Sequence, residues 1–163
     1  MKKLHRRNFL KISATGAAGL FVTSRLSGHS LMNKKQVPQK DEFIYRTLGK
    51  TGLKLPVVSM GVMRADNPKL VKAALDAGMK HLDTAFVYQN GQNEKMLGEV
   101  LQEYERDSYT IATKIYMPQD KETNLFTNEA TTEKFLEQLN TSLERLKLDY
   151  VDILYLHSTK NRE

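Results

Sequence analysis

Asn67-Pro-Lys-Leu-Val-Lys-Ala-Ala-Leu-Asp-Ala-Gly-Met-Lys-His-Leu-Asp-Thr-Ala85 reads as one helix followed by one strand. Asn67 offers a side-chain acceptor to a helix N-terminus, and Pro68 has no N–H to leave unpaired at the first helical position. Leu70, Val71, Ala74 and Leu75 recur at helical spacing, and Gly78 can take the positive φ that closes a helix. His81 to Ala85 then reads as a short strand.

The same unit repeats on both sides. Upstream, Val57 to Met63 is an apolar strand, preceded by Phe43-Ile-Tyr-Arg-Thr47 and Lys54-Leu-Pro-Val-Val58 around the glycine-punctuated turn Leu48 to Gly52, which predicts a hairpin. Downstream, a helix near Asn93 to Tyr104 carries Met96, Leu97, Val100, Leu101 and Tyr104 on one stripe, and Ser108 to Ile115 is strand-like. A helix from about Thr132 to Leu146 should bury Phe135, Leu136, Leu139, Leu143 and Leu146. Tyr150 to Leu156 is nearly continuous in apolar residues, as expected of a strand covered on both faces.

Four strands alternating with three helices demand parallel pairing through right-handed crossovers. A doubly wound sheet should carry a glycine-rich phosphate loop after its first strand, but Ser59-Met-Gly-Val-Met-Arg64 has a single glycine. A (β/α)8 TIM barrel fits better, and a whole one takes about 250 residues. The expected fold class is therefore α/β, the N-terminal half of a (β/α)8 barrel with an opening β-hairpin, truncated after the fourth strand. Residues 41–163 form that body, and residues 1–40 a leader and linker.

The leader differs in kind. The 163-residue chain has a formal net charge of +6, and its basic residues crowd the first forty positions: Lys2, Lys3, Arg6, Arg7, Lys11, Arg25, Lys34, Lys35 and Lys40. Beyond them acids and bases alternate, so the charge argues for no nucleic-acid site. The stretch Ile12 to Val22 is too short and too weakly apolar for a membrane span. Arg6-Arg7-Asn8-Phe9-Leu10-Lys11 resembles a twin-arginine export signal, read by the translocation machinery. The expected location is the periplasm, or the outer face of the inner membrane if the signal stays as an anchor. Cysteine is absent, which excludes disulfides and Cys-ligated metal centres within the chain.

In a barrel the active site gathers at the C-terminal ends of the strands. Those ends hold Gly61 to Arg64, Asp83, Tyr88 just beyond, Lys114, and His157. A phenol near its ordinary pKa of about 10 gives up its proton reluctantly. A neighbouring ammonium favours the phenolate, a carboxylate keeps the ammonium charged and placed, and an imidazole can orient a carbonyl. Asp152, within the last strand, reads as structural.

The chain also resembles the aldo/keto reductases from Tyr45 to Ser158. Tyr45-Arg-Thr-Leu-Gly-Lys-Thr-Gly-Leu-Lys54 is similar to the family's opening hairpin, and Ala73 to Ala85 to its first helix and second strand. Tyr88, Asn93-Glu94 and Leu97-Gly98 follow in order. Ile111-Ala-Thr-Lys114, Ser142-Leu-Glu-Arg-Leu146 and Asp149-Tyr-Val-Asp-Ile-Leu-Tyr-Leu-His157 complete the resemblance. It implies a tetrad of Asp83, Tyr88, Lys114 and His157 with Tyr88 as general acid. It also implies hydride transfer from NADPH or NADH to a small-molecule aldehyde or ketone, without a metal. The cofactor side would be Gly61, Val62, Met63 and Asp83; many members have threonine where Val62 stands, so its contact here would be through backbone. The strands that carry most of the family's cofactor site lie beyond this sequence, so the chain alone is expected not to turn over. A non-catalytic binding or regulatory module that keeps the reductase fold is the alternative expectation, and an incomplete reading frame a third.

Overall fold

The computed structural model describes residues 34–39 and 43–159. The twin-arginine stretch lies outside the described residues. A two-stranded antiparallel hairpin comes first, β1 (Tyr45–Thr47) against β2 (Lys54–Pro56), with Tyr45 opposite Pro56 and Thr47 opposite Lys54. Gly49 and Gly52, at φ 51 and 77, make its turn.

Four parallel strands follow: β3 (Met60–Gly61), β4 (His81–Asp83), β5 (Thr110–Ile115) and β6 (Ile153–Leu156). They lie side by side in chain order, β3-β4-β5-β6. In a doubly wound sheet the order reverses at a switch point; here each crossover steps in the same direction, which is the winding of a barrel. The crossovers carry α1 (Pro68–Asp76), α2 (Gln92–Leu101) and α3 (Thr132–Leu146).

Helices α1 and α3 end where their sequence says they should, whereas α2 stops at Leu101, three residues short of the expected Tyr104. The Asn67 side chain accepts from Lys69 N–H at 3.0 Å, with Pro68 opening the helix. At the other end Gly78 N–H donates to the Leu75 carbonyl and Met79 N–H to the Ala74 carbonyl, the paired bonds of a Schellman ending, with Gly78 at φ 94. Thr131 caps α3 by accepting from Lys134 N–H at 3.2 Å. Its far end repeats the Schellman pattern, Lys147 to Glu144 and Leu148 to Leu143, although the left-handed position is a lysine, at φ 56.

Val62, Val71, Leu75, Leu82, Leu97, Val100, Leu101, Tyr104, Ile111 and Leu146 form one buried cluster between sheet and helices. Val37 joins it, and Lys35 bonds through its backbone to Glu103 and Glu105. Part of the stretch read as linker thus packs on the body. Asp152 makes structural contacts, although it lies just before β6 rather than within it. Its Oδ2 accepts from Arg106 Nη2 at 2.7 Å and Ile111 N–H at 2.8 Å. Arg106 lies over the Tyr109 and Tyr150 rings, so the entry to β6 is tied to the start of β5.

Three expectations need correction. The first parallel strand is only Met60–Gly61, because Val57 N–H still bonds to the Ile44 carbonyl and extends the hairpin, leaving Val57 and Val58 exposed. In α3 only Leu146 of the five expected apolar residues is buried; Phe135, Leu139 and Leu143 are half-buried and Leu136 is exposed. Nor is β6 covered on both faces, since Leu154, Tyr155 and Leu156 are all exposed. Among the described residues β6 pairs only with β5, so its far edge is unpaired.

Two predictions follow from this packing. Replacing Lys147 by glycine removes a left-handed β-carbon penalty of about 1 kcal/mol, and the exposed Lys147–Glu99 pair lost with it contributes little. Lys147→Gly should therefore raise Tm by several degrees in thermal denaturation, and an unchanged or lower Tm would contradict the assignment. Burial lowers the pKa of His81, whose Nδ1 meets Thr110 Oγ1 at 2.7 Å. The unfolded imidazole binds its proton near pH 6.5 while the folded one resists it, so stability is full above that pH and falls as pH drops through it. Melting curves from pH 7 to 5 should show this loss, reduced in His81→Asn.

Candidate active site

Parallel pairing brings the strand ends level. Gly61 pairs with Asp83, Asp83 with Ala112, and Lys114 with Tyr155. Ala112 and Lys114 are two residues apart, so they point to one face of the sheet. Lys114 reaches from there towards the end of β4.

An ammonium has three N–H donors and no acceptor, and Lys114 Nζ meets three acceptors. It donates to Asp83 Oδ1, to the Thr84 carbonyl at 2.6 Å and to the Tyr88 hydroxyl at 3.4 Å. Its side chain is 15% exposed and that of Asp83 30%, so the pair sits at a mouth that solvent reaches. The ammonium also lies 5.0 Å from the centre of the Tyr88 ring. The phenol oxygen therefore accepts from the cation, and its own proton cannot go to a group that has no lone pair.

Tyr88 opens a short 3₁₀ turn, Tyr88–Gly91, after β4. Phe86 N–H donates to the Lys114 carbonyl at 3.0 Å and Tyr88 N–H to the Ala85 carbonyl at 3.0 Å, which tethers the loop to the end of β5. His157 follows β6, and its N–H donates to the Ile115 carbonyl at 2.9 Å. Its ring stands edge-on to Tyr88 with centres 5.7 Å apart, and edge-on to Tyr116 at 6.3 Å. Burial first, then the Lys114 charge, lowers the His157 pKa below its ordinary value, against the opposing pull of Asp83. Both effects favour the neutral imidazole over the charged one. Its Nδ1 is buried without a hydrogen-bond partner among the described residues.

All four expected residues thus meet at one mouth. The cofactor-side residues are placed less uniformly. Gly61 is exposed, with open space where a β-carbon would lie, and Met63 is exposed. Val62 is fully buried, its N–H donating to the Asp83 carbonyl and its carbonyl accepting from Ala65 N–H and Asn93 Nδ2. Its backbone is occupied internally, leaving Gly61 and Met63 as the accessible members of that loop.

Behind the mouth lies a buried polar network that sequence reasoning gave no role. Asn93 Nδ2 donates to the carbonyls of Val62 and Ala65, and its Oδ1 accepts from Thr84 Oγ1 at 2.6 Å. Glu94, with no exposed surface, accepts from Thr113 Oγ1 at 2.7 Å and from Arg145 Nη1 at 3.2 Å. One signal could have found it: Glu94 stands three and seven residues before Leu97 and Leu101, an acid on the apolar stripe of its helix. The Thr84 carbonyl has no such signal, since any residue supplies one.

Residues 52–162 match the aldo/keto reductase family. A relative from Arabidopsis thaliana named "Probable voltage-gated potassium channel subunit beta" is 32% identical over 127 residues, 69% of this chain and 37% of that protein. The Bacillus subtilis aldo-keto reductase YhdN is 36% identical over 88 residues, 53% of this chain and 26% of that one. Among solved structures, a Bacillus halodurans aldo-keto reductase in its holo form superposes with a TM-score of 0.60 at 26% identity, covering 70% of this chain and 40% of that one. The chain therefore spans two fifths or less of the length of these proteins. Strand order and sequence lead to the same place, and the chain belongs to the aldo/keto reductase family.

Proposed function

We propose that this chain supplies the proton-donating side of an NAD(P)H-dependent reductase that converts an aldehyde or ketone to an alcohol. The observation that carries the reading is the Lys114 ammonium shared by Asp83, the Thr84 carbonyl and Tyr88. Asp83 and the Thr84 carbonyl hold the cation in place, and the cation stabilises negative charge on the Tyr88 oxygen as its proton leaves. Because Lys114 only donates, the Tyr88 proton is directed to an acceptor outside the triad, and a substrate carbonyl oxygen is such an acceptor. His157, edge-on to Tyr88 and biased towards its neutral form, would donate to that same oxygen and orient it.

The exposed Gly61 and Met63 beside Asp83 fit the flank of a nicotinamide cofactor, NADPH or NADH. When bound, that cofactor supplies the hydride. Gly61 and Met63 would flank it, and Tyr88 Oη holds the proton. In protein purified from its source organism, Tyr88→Phe should cut kcat for NADPH-dependent aldehyde reduction by roughly 10²–10⁴-fold with KM little changed. The 163-residue chain by itself should show no turnover, since four strands enclose only one side of the mouth. Clear NADPH oxidation by the isolated chain would overturn that expectation.

The name of the Arabidopsis relative favours a second reading, a binding or regulatory module that keeps the reductase fold. Source protein that binds NADPH tightly yet reduces no member of an aldehyde and ketone panel would decide for it.

Export by the twin-arginine route is part of the same proposal and rests on Arg6-Arg7-Asn8-Phe9-Leu10-Lys11. Replacing Arg6 and Arg7 together by lysine should hold the protein in the cytosol on fractionation. Wild-type protein found only in the cytosol would sink the export reading.

A further inference from the structure

Tyr88 sits in backbone that does not hold its own shape. Gln89 and Asn90 lie at φ 50 and 53, and Gly91 at φ 83. Glycine enters that left-handed region freely and asparagine at times, but a glutamine does so only against steric resistance. The hydrogen bonds within the segment are local: Tyr88 N–H to the Ala85 carbonyl and Asn90 N–H to the Val87 carbonyl at 3.2 Å. Its conformation therefore has to be imposed from outside.

Three outside contacts do this. Phe86 N–H is tied to the Lys114 carbonyl, and the exposed Gln89 side chain donates to the Met63 carbonyl at 3.1 Å. The third contact is Arg145, which reaches the loop from α3. Its Nη1 donates to the Phe86 carbonyl at 3.0 Å, and its guanidinium lies 4.5 Å from the centre of the Phe86 ring. Gly91 approaches the same group so closely that a β-carbon there would lie 2.5 Å from the guanidinium carbon. One side chain thus touches the loop on both sides of Tyr88.

The clamp is itself anchored. Arg145 donates to Glu94, which is fully buried, and the other Glu94 oxygen is held by Thr113, the residue before Lys114. The Tyr88 loop and the Lys114 strand are therefore referenced to one carboxylate. A lysine could supply the charge but not the planar fork that stacks on Phe86 while bonding its carbonyl.

We propose that Arg145, anchored by Glu94, is a positioning residue for Tyr88, setting the phenol against Lys114 and His157. Its catalytic meaning rests on the reductase reading; its structural meaning does not. The test uses the full chain with ¹³C-labelled tyrosine and histidine, the Tyr88 ring signals being assigned with Tyr88→Phe. In wild type an NOE should join the Tyr88 and His157 rings.

In Arg145→Lys that NOE should weaken or vanish and the Tyr88 signals should shift, while those of Tyr104 and Tyr109 in the core stay put. The double variant Glu94→Gln/Arg145→Met removes both charges together and strands neither in the interior, so it decides the matter if the single variant does not fold. An unchanged Tyr88–His157 contact in either folded variant overturns the proposal. So does a uniform shift of all tyrosine signals, or failure of both variants to fold, because Arg145 would then support the whole fold rather than this loop. In active source protein, Arg145→Lys should lower kcat by roughly ten- to a hundredfold with the NADPH KM unchanged, and an unchanged kcat also overturns it. Absence of turnover in wild type would count against the reductase reading alone, leaving the NMR result to judge Arg145.

Discussion

A carboxylate with no exposed surface has to be paired, because stripping an unpaired ion of water costs on the order of several kcal/mol even after the protein relaxes. Glu94 is such a group, and its two oxygens are divided between Thr113 on β5 and Arg145 on α3. Rotation of α2 would take that carboxylate from both partners, a shift of β5 would cost it the Thr113 bond, and a lift of α3 would cost it the Arg145 pair. Gly98 helps, for the Arg145 carbonyl and the Leu146 backbone lie where its side chain would be, so the two helices approach at backbone distance. Asn93, one residue earlier, joins the loop after β3 to Thr84 at the end of β4. Two adjacent polar residues at the head of one helix therefore hold three strand ends in relation to each other.

That relation matters because the candidate chemistry is divided among separate strands. Asp83 ends β4, Lys114 is the last residue but one of β5 and His157 follows β6, and each alone is an ordinary polar residue near a strand end. Brought level by parallel pairing, they place one cation among three acceptors, with an imidazole edge-on to the phenol. Lowering of the His157 pKa by burial and by Lys114 serves the same end, since a second cation beside Tyr88 would compete with the first.

Much of this was legible in the residues. The hairpin turn, the Asn67-Pro68 start, the Gly78 stop and the stripe Leu97, Val100, Leu101 and Tyr104 all reflect local rules, in which a residue's conformational preference or spacing acts within a few positions. The parallel alternation was legible too, and with it the identity of the four residues at the mouth. Less legible were the strand's start at Met60, which depends on Val57 remaining in the hairpin, and the exposure of Leu136 and Leu154 to Leu156, which depends on what packs beside α3 and β6.

By itself, then, the sequence determined the order and type of the elements, the direction of the crossovers and the set of titratable groups at the strand ends, because helix caps, apolar periods and crossover handedness operate locally. Only the tertiary structure decided that Lys114 divides its three donors between Asp83, the Thr84 carbonyl and Tyr88. It also decided that Val62 has no free backbone groups, and that Arg145 reaches Phe86 from 59 residues away. Those outcomes turn on distances between elements remote in the chain, and such distances exist only once the strands have paired and the buried charges have found their partners.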